Sequence, residues 1–108
     1  MSLSDSQSTA DTSSANLALV RQIILDKLKG YSVQVYLFGS HARKNARPTS
    51  DIDVGILPKE PLPIGVLAEV REALFESTIP VNIDLVNLSQ TDEIFKQHIL
   101  QEAIVWND

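Results

Sequence analysis

The sequence contains no cysteine, which excludes disulfides, thiolate metal sites and cysteine nucleophiles together. It has only two histidines, His41 and His98, too few for an all-histidine metal site. Any bound metal must therefore be held mainly by oxygen, which favours magnesium or manganese over zinc. Positive charge is also in short supply: nine Lys and Arg stand against fourteen Asp and Glu, for a net charge of −5. Tight nonspecific binding of DNA or RNA draws its affinity from Lys and Arg neutralising phosphates, so it is not expected here. Apolar runs extend for only a few residues, far short of the roughly 20 needed to cross a bilayer. No apolar stretch follows a basic start as a signal peptide requires, so the expectation is a soluble cytoplasmic protein.

What is present fits one small domain. Residues 1–14 (MSLSDSQSTADTSS) are polar, with only Met1, Leu3 and Ala10 apolar, and such a segment buries too little surface to offset its ordering entropy. They are expected to form a disordered tail, with residues 15–108 as the domain. Roughly 90 residues suffice for a single core but not for a catalytic domain plus a separate substrate domain. An enzyme of this size has to find the surface of its second substrate on a partner.

From Ala15 the apolar residues Leu17, Val20, Ile24 and Leu28 recur at three and four positions, which predicts a helix with Gly30 as its stop. Val33–Phe38 (VQVYLF) is β-branched and aromatic and predicts a buried strand ending in the turn Gly39-Ser40. A short helix is expected from His41 to Asn45, closed by the loop Pro48-Thr49-Ser50. Asp51–Leu57 (DIDVGIL) predicts a second strand. After the Pro58 to Pro63 loop, a helix with Val66, Val70, Ala73 and Leu74 on one face is expected to about Ser77. Val81–Val86 (VNIDLV) predicts a third strand. A last helix, capped by Ser89 or Thr91, carries Ile94, Phe95 and Ile99, and Ala103–Trp106 can add a short edge strand. The fold class is α/β or α+β, a small mixed sheet of three to four strands covered by helices on at least one side.

Strand alternation gives the acids a common direction. Asp51 and Asp53 fall on one face, with Ile52, Val54 and Ile56 on the other. In the third strand, Val81, Ile83 and Leu85 point inward and Asn82 and Asp84 outward. Carboxylates this close repel one another unless a cation neutralises them or they share a proton. If the third strand neighbours the second, Asp84 completes a triad of hard oxygen ligands suited to two-metal phosphoryl transfer. Gly39-Ser40, at the end of a strand and the start of a helix, offers close backbone approach, a hydroxyl and the free N–H groups of a helix N-terminus to a phosphate. Arg43 is placed to reach a phosphate oxygen, and Ser50 either contacts the ligand or orients Asp51.

These residues form a recognisable combination. Phe38-Gly39-Ser40-His41-Ala42-Arg43, followed after Ser40 by ten residues and then Asp51-Ile52-Asp53, resembles the signature of minimal nucleotidyltransferases of the polymerase-β-type superfamily. The likeness covers about Leu17 to Trp106, and Asp84 in VNIDLV matches the third family carboxylate. It implies a polymerase-β-type nucleotidyltransferase fold with two magnesium ions on Asp51, Asp53 and Asp84. ATP phosphates would lie at Gly39 and Ser40, with Arg43 and Ser50 nearby. Stand-alone members of this kind are encoded beside a HEPN-type ribonuclease toxin and act as its antitoxin, transferring AMP to a tyrosine of that partner.

Other readings stay open on the sequence alone. The acids could form a solvated strand face, Arg43, Lys44 and Arg47 an ordinary basic surface, and His98 a half-buried structural residue. Tyr36 and Trp106 are expected as core or interface aromatics. The enzyme could modify a small molecule instead, or the chain could neutralise a partner by occlusion without catalysis.

Overall fold

The computed structural model describes residues 2–47 and 49–107, with side chains from residue 14 onward. Met1, Asp108 and the expected loop residue Pro48 lie outside the described residues. Helix α1 runs over Ser2–Lys27, so residues 2–14 follow the helix path where the composition suggests a tail. Extending an already anchored helix adds one hydrogen bond per residue fixed, and Ser, Thr and Asp oppose this only weakly. Among the residues whose side chains are described, core packing on α1 begins at Leu17, and Val20, Ile24 and Leu28 are buried. Gly30 stands at φ 92° just beyond the helix, the left-handed conformation that ends helices most cheaply in glycine.

Strands β1 (Val33–Phe38), β2 (Ile52–Pro58), β3 (Ile83–Asn87) and β4 (Ile104–Val105) form one sheet in the order β3-β2-β1-β4. Pairing is antiparallel between β1 and β2 and between β1 and β4, and parallel between β2 and β3. Helix α2 (Val66–Phe75) makes the crossover, and a 3-10 turn (Leu88–Gln90) leads to α3 (Glu93–Glu102).

Alternation along the strands supplies two apolar faces. Val33, Val35, Leu37, Ile52, Val54, Ile56 and Leu85 pack under α1 and α2. On the opposite face Phe38, Leu88 and Ile99 are buried, with Tyr36, Leu57, Val86 and Leu100 packed against them. The sheet is therefore covered on both sides, by α1 and α2 on one and by α3 with the 3-10 turn on the other. Gly55 permits the second layer: a Cβ there would stand 2.9 Å from Leu88 Cδ1, closer than carbon atoms pack.

The chain end is tied to β1. The Trp106 amide donates to Val35 O at 2.7 Å, and Asn107 Nδ2 donates to Val33 O at 2.7 Å while its Oδ1 accepts from Val35 N at 3.0 Å. One side-chain amide thus prolongs the β4 ladder by imitating a peptide unit. Trp106 is buried and Tyr36 half-buried, as expected of core aromatics.

Two local expectations change. No helix forms over His41–Asn45: residues 39–44 are a turn, with Arg43 N bonded to Gly39 O and Asn45 N to Ser40 O. Lys44 at φ 62° leaves the right-handed helical region and stops propagation after one turn. The cap of α3 is Asp92, whose side chain accepts from Phe95 N, because the 3-10 turn occupies Ser89 and shifts the helix start. Of the apolar residues carried on α3, Ile99 is buried, whereas Ile94 is 77% and Phe95 45% exposed.

Candidate active site

The antiparallel β1/β2 pairing sets the end of β1 against the start of β2, with Phe38 opposite Asp53. The parallel β2/β3 pairing then sets Asp84 beside Asp53. Neighbouring strands lie about 4.8 Å apart, and residues paired in register share a face. Asp53 and Asp84 therefore stand side by side on the α3 side of the sheet, at the end where β1 stops and β2 and β3 begin. Asp51 precedes β2 by one residue and Asp53 by two, so alternation aims it the same way. The strand adjacency on which the triad depends is present.

The electrostatics follow from this crowding. Asp53 is half-buried, Asp51 and Asp84 are exposed. Burial raises the Asp53 pKa above the ordinary carboxyl value, the neighbouring charges of Asp84 and then Asp51 raise it further, and His41 and Arg43 oppose the rise. Among the described residues no three acidic or histidine side chains are drawn together into a ready metal cage. The strand register fixes their backbones as neighbours all the same.

The shift carries a pH prediction for the metal-free protein. Below the unfolded value of about 3.9 Asp53 is protonated in both states and contributes nothing. As pH rises from there through the raised folded value, the unfolded chain releases this proton first, so the native state loses stability relative to it. The variant Asp53→Asn lacks this loss. In EDTA, thermal unfolding followed as pH rises from about 3.9 to neutrality should show the melting temperature of Asp53→Asn gaining on the wild type. A gap that shrinks over this window contradicts the site's electrostatics.

Gly39 follows β1 at φ 77°. A Cβ on it would collide with Asp53 Oδ2, so the bare Cα is what lets the turn lie against this carboxylate. Among the described residues, the N–H groups of Ser40, His41 and Ala42 have no backbone acceptor, which leaves them available to an anion. Ser50 Oγ accepts from Arg47 N at 2.8 Å, Ser50 N donates to Arg47 O at 2.9 Å, and His41 Nε2 lies 3.3 Å from Ser50 O. Ser50 thus clamps the loop leading into Asp51. Arg43, expected free for a phosphate, donates from Nη1 to Glu102 Oε1 at 3.0 Å. The pair is exposed on both sides and holds little energy, about 0–1 kcal/mol, so an anion can draw the guanidinium away.

Sequence reasoning did not place α3 at this end of the sheet. Glu102, Phe95 and His98 line a cavity with Phe38, Gly39 and Arg43, and His98 is exposed rather than half-buried. The available signal was the adjacent pair Ile94-Phe95, more apolar surface than one short amphipathic helix needs to bury.

Fold and site together define a nucleotidyltransferase domain. Residues 11–107 match the family described as polymerase beta, nucleotidyltransferase, and the chain belongs to it; it is an enzyme of the nucleotidyltransferase class. A relative from Haemophilus influenzae, a probable protein adenylyltransferase named MntA, is 33% identical over 95 residues, covering 88% of this chain and 82% of that protein. A solved structure described as a minimal nucleotidyltransferase is 29% identical with a TM-score of 0.65, covering 82% of this chain and 90% of that one. A chain of the complex between a tri-AMPylated Shewanella oneidensis HEPN toxin and an MNT antitoxin has the same fold at 21% identity and a TM-score of 0.62, covering 87% of this chain and 71% of that one. Among the described residues no helix is long and apolar enough to cross a membrane.

Proposed function

We propose that this nucleotidyltransferase transfers AMP from ATP to a tyrosine hydroxyl of a HEPN-type toxin, and so acts in the cytoplasm as its antitoxin. The observation that carries the reading is the in-register pair Asp53 and Asp84 lying against the bare Cα of Gly39. The kinship with MntA and the fold shared with a chain from an AMPylated toxin complex support the acceptor class.

The donor set fits magnesium: three hard oxygens, a mutual repulsion that a cation relieves, and an approach kept open by the absence of a Gly39 side chain. Asp51, Asp53 and Asp84 would hold two ions, which when bound supply stabilisation of charge on the attacking and leaving oxygens. The chain's own groups do the rest by positioning. The turn after Gly39 presents Ser40 Oγ and free N–H groups to the phosphates, and Arg43 exchanges Glu102 for a phosphate oxygen. Ser50 holds the loop that carries Asp51. Asp84 lies on the edge strand and is the carboxylate that an acceptor arriving from outside meets first, so it receives the hydroxyl proton. The hydroxyl oxygen bonds to the α-phosphorus, the bond to the bridging oxygen of the β-phosphate breaks, and pyrophosphate leaves.

The test is incubation with the toxin encoded beside this chain, magnesium, and ATP labelled on either the α- or the γ-phosphate. Label from the α-position should appear on the toxin and label from the γ-position should not. An unlabelled toxin that is still neutralised, equally well by Asp51→Asn/Asp53→Asn, establishes occlusion instead.

A further inference from the structure

We propose that the acceptor tyrosine arrives on an extended segment of its protein, which adds to the open edge of β3 as a fifth strand and lays the tyrosine ring over Asp84. The proposal rests on the protein-adenylylation reading above and adds to it how the acceptor is held.

β3 is an outer strand of the sheet. Ile52 N donates to Asn82 O at 2.9 Å, so Asn82, Asp84 and Val86 turn their backbone groups toward β2, and the alternate residues Ile83, Leu85 and Asn87 turn theirs outward. The Leu85 carbonyl accepts from Arg71 Nη2 at 3.0 Å, a side chain reaching it from outside the sheet. Among the described residues, the Ile83 N–H, the Ile83 C=O and the Leu85 N–H are left without a partner. These three groups flank Asp84, and an added strand bonds to such groups.

Charged side chains commonly blunt a sheet edge against unwanted pairing. Arg71 does so at one end only. It also borders the cavity around Pro58 to Gly65, so its bond to Leu85 closes the edge beyond that point. The stretch beside the carboxylate stays bare.

Alternation then sorts the side chains of the incoming segment. The residue paired with Asp84 shares its face and points to the carboxylates, and the residues before and after it point to the α2 side. On that side lies a cavity of about 510 Å³ lined by Leu74, Phe75, Ile79 and Val81, and Phe75 is 90% exposed at the end of α2. The cavity suits apolar residues on either side of the acceptor. The added strand lies one spacing, about 4.8 Å, beyond β3 and two spacings beyond β2. A hydroxyl on Cβ, as in Ser or Thr, stops short of Asp53 from there, whereas tyrosine carries its hydroxyl across a ring to the middle of the carboxylates. The outer face of α2 carries the exposed Glu69, Glu72 and Glu76, which complements a partner made basic by its need to handle RNA phosphates.

The test is amide hydrogen exchange of the full chain, read residue by residue by NMR, alone and with the toxin encoded beside it. Magnesium is present, with an ATP analogue bridged by methylene between the α- and β-phosphorus so that no transfer occurs. The Ile83 and Leu85 amides should exchange rapidly in the chain alone and at least about tenfold more slowly in the complex, while the Val105 amide on the opposite edge is unchanged. In a transfer assay Ile83→Pro, which removes an outward N–H and spares the β2–β3 ladder, should raise the KM for the toxin about tenfold and leave the KM for ATP unchanged. Ile83→Val, which keeps the N–H, should behave as the wild type. The proposal is overturned if a complex forms in which Ile83 and Leu85 exchange as in the free chain, if a second copy already protects them in the chain alone, or if Ile83→Pro leaves the KM for the toxin unchanged. Transfer to the toxin stands in each of those cases. If the toxin neither binds nor receives AMP, the adenylylation reading fails and the docking edge falls with it.

Discussion

Replacing Asp51 and Asp53 together by Asn should lower AMP transfer by about 10³-fold or more, equivalent to about 4 kcal/mol of barrier, while leaving the metal-free protein at least as stable as the wild type. Activity falls because amides are poor ligands for a hard dication and the charge they replace is what holds it. Stability is preserved because neither side chain contributes to the buried core. The substitution also removes like charges from positions where Asp84, then Asp51, raise the Asp53 pKa. A group that destabilises the fold and is needed for chemistry is the usual pattern at an active site. Single-turnover transfer and thermal unfolding in EDTA check the two halves. A variant that loses activity together with several degrees of stability would make Asp51 and Asp53 structural.

The second large effect belongs to Gly39→Ala. The backbone at φ 77° disfavours any side chain by roughly 1–2 kcal/mol, and the new methyl group would collide with Asp53 Oδ2. Something has to move, and the movable group is the carboxylate on which the site depends. Displacements of about 1 Å in a catalytic array can cost on the order of 100-fold in rate, and a loss of that size is expected here. Gly30→Ala is the matched control, since Gly30 has φ 92° and a Cβ added there would meet nothing within 4 Å. It should reproduce the stability loss and leave transfer intact. Equal activity losses in the two variants would show that backbone strain, and not the Asp53 contact, explains Gly39.

Much of this was legible in residue patterns. Val33–Phe38 is a strand over its predicted span, because six residues rich in β-branched and aromatic side chains end at a glycine that alone tolerates the turn. The common direction of Asp51 and Asp53 followed from alternation alone. Asp84 is different: its place beside Asp53 depends on β2 and β3 pairing in parallel, a long-range choice that no local pattern dictates. The short helix expected after Ser40 failed because Lys44 takes a left-handed conformation, set by the loop's return to Asp51 and not by helix propensity. The bond between Arg43 and Glu102 spans 59 residues, and nothing in either neighbourhood announces it.

The same division explains the cleft between α3 and the end of β1. The spacing puts Ile94, Phe95 and Ile99 on the last helix without saying which is buried; Asp92 caps that helix, and its rotation makes Ile99 the buried anchor. That rotation turns Phe95 toward the turn after β1 and leaves Ile94 in solvent. The surplus apolar surface then borders the carboxylate end of the sheet.

The most direct test of the central claim is the intact mass of the cognate HEPN toxin after incubation with this chain, ATP and magnesium. Whole increments of AMP are expected on the toxin, located on tyrosine by fragmentation, and none with Asp51→Asn/Asp53→Asn. An unchanged toxin mass after incubation with folded, correctly paired wild-type chain would contradict the claim.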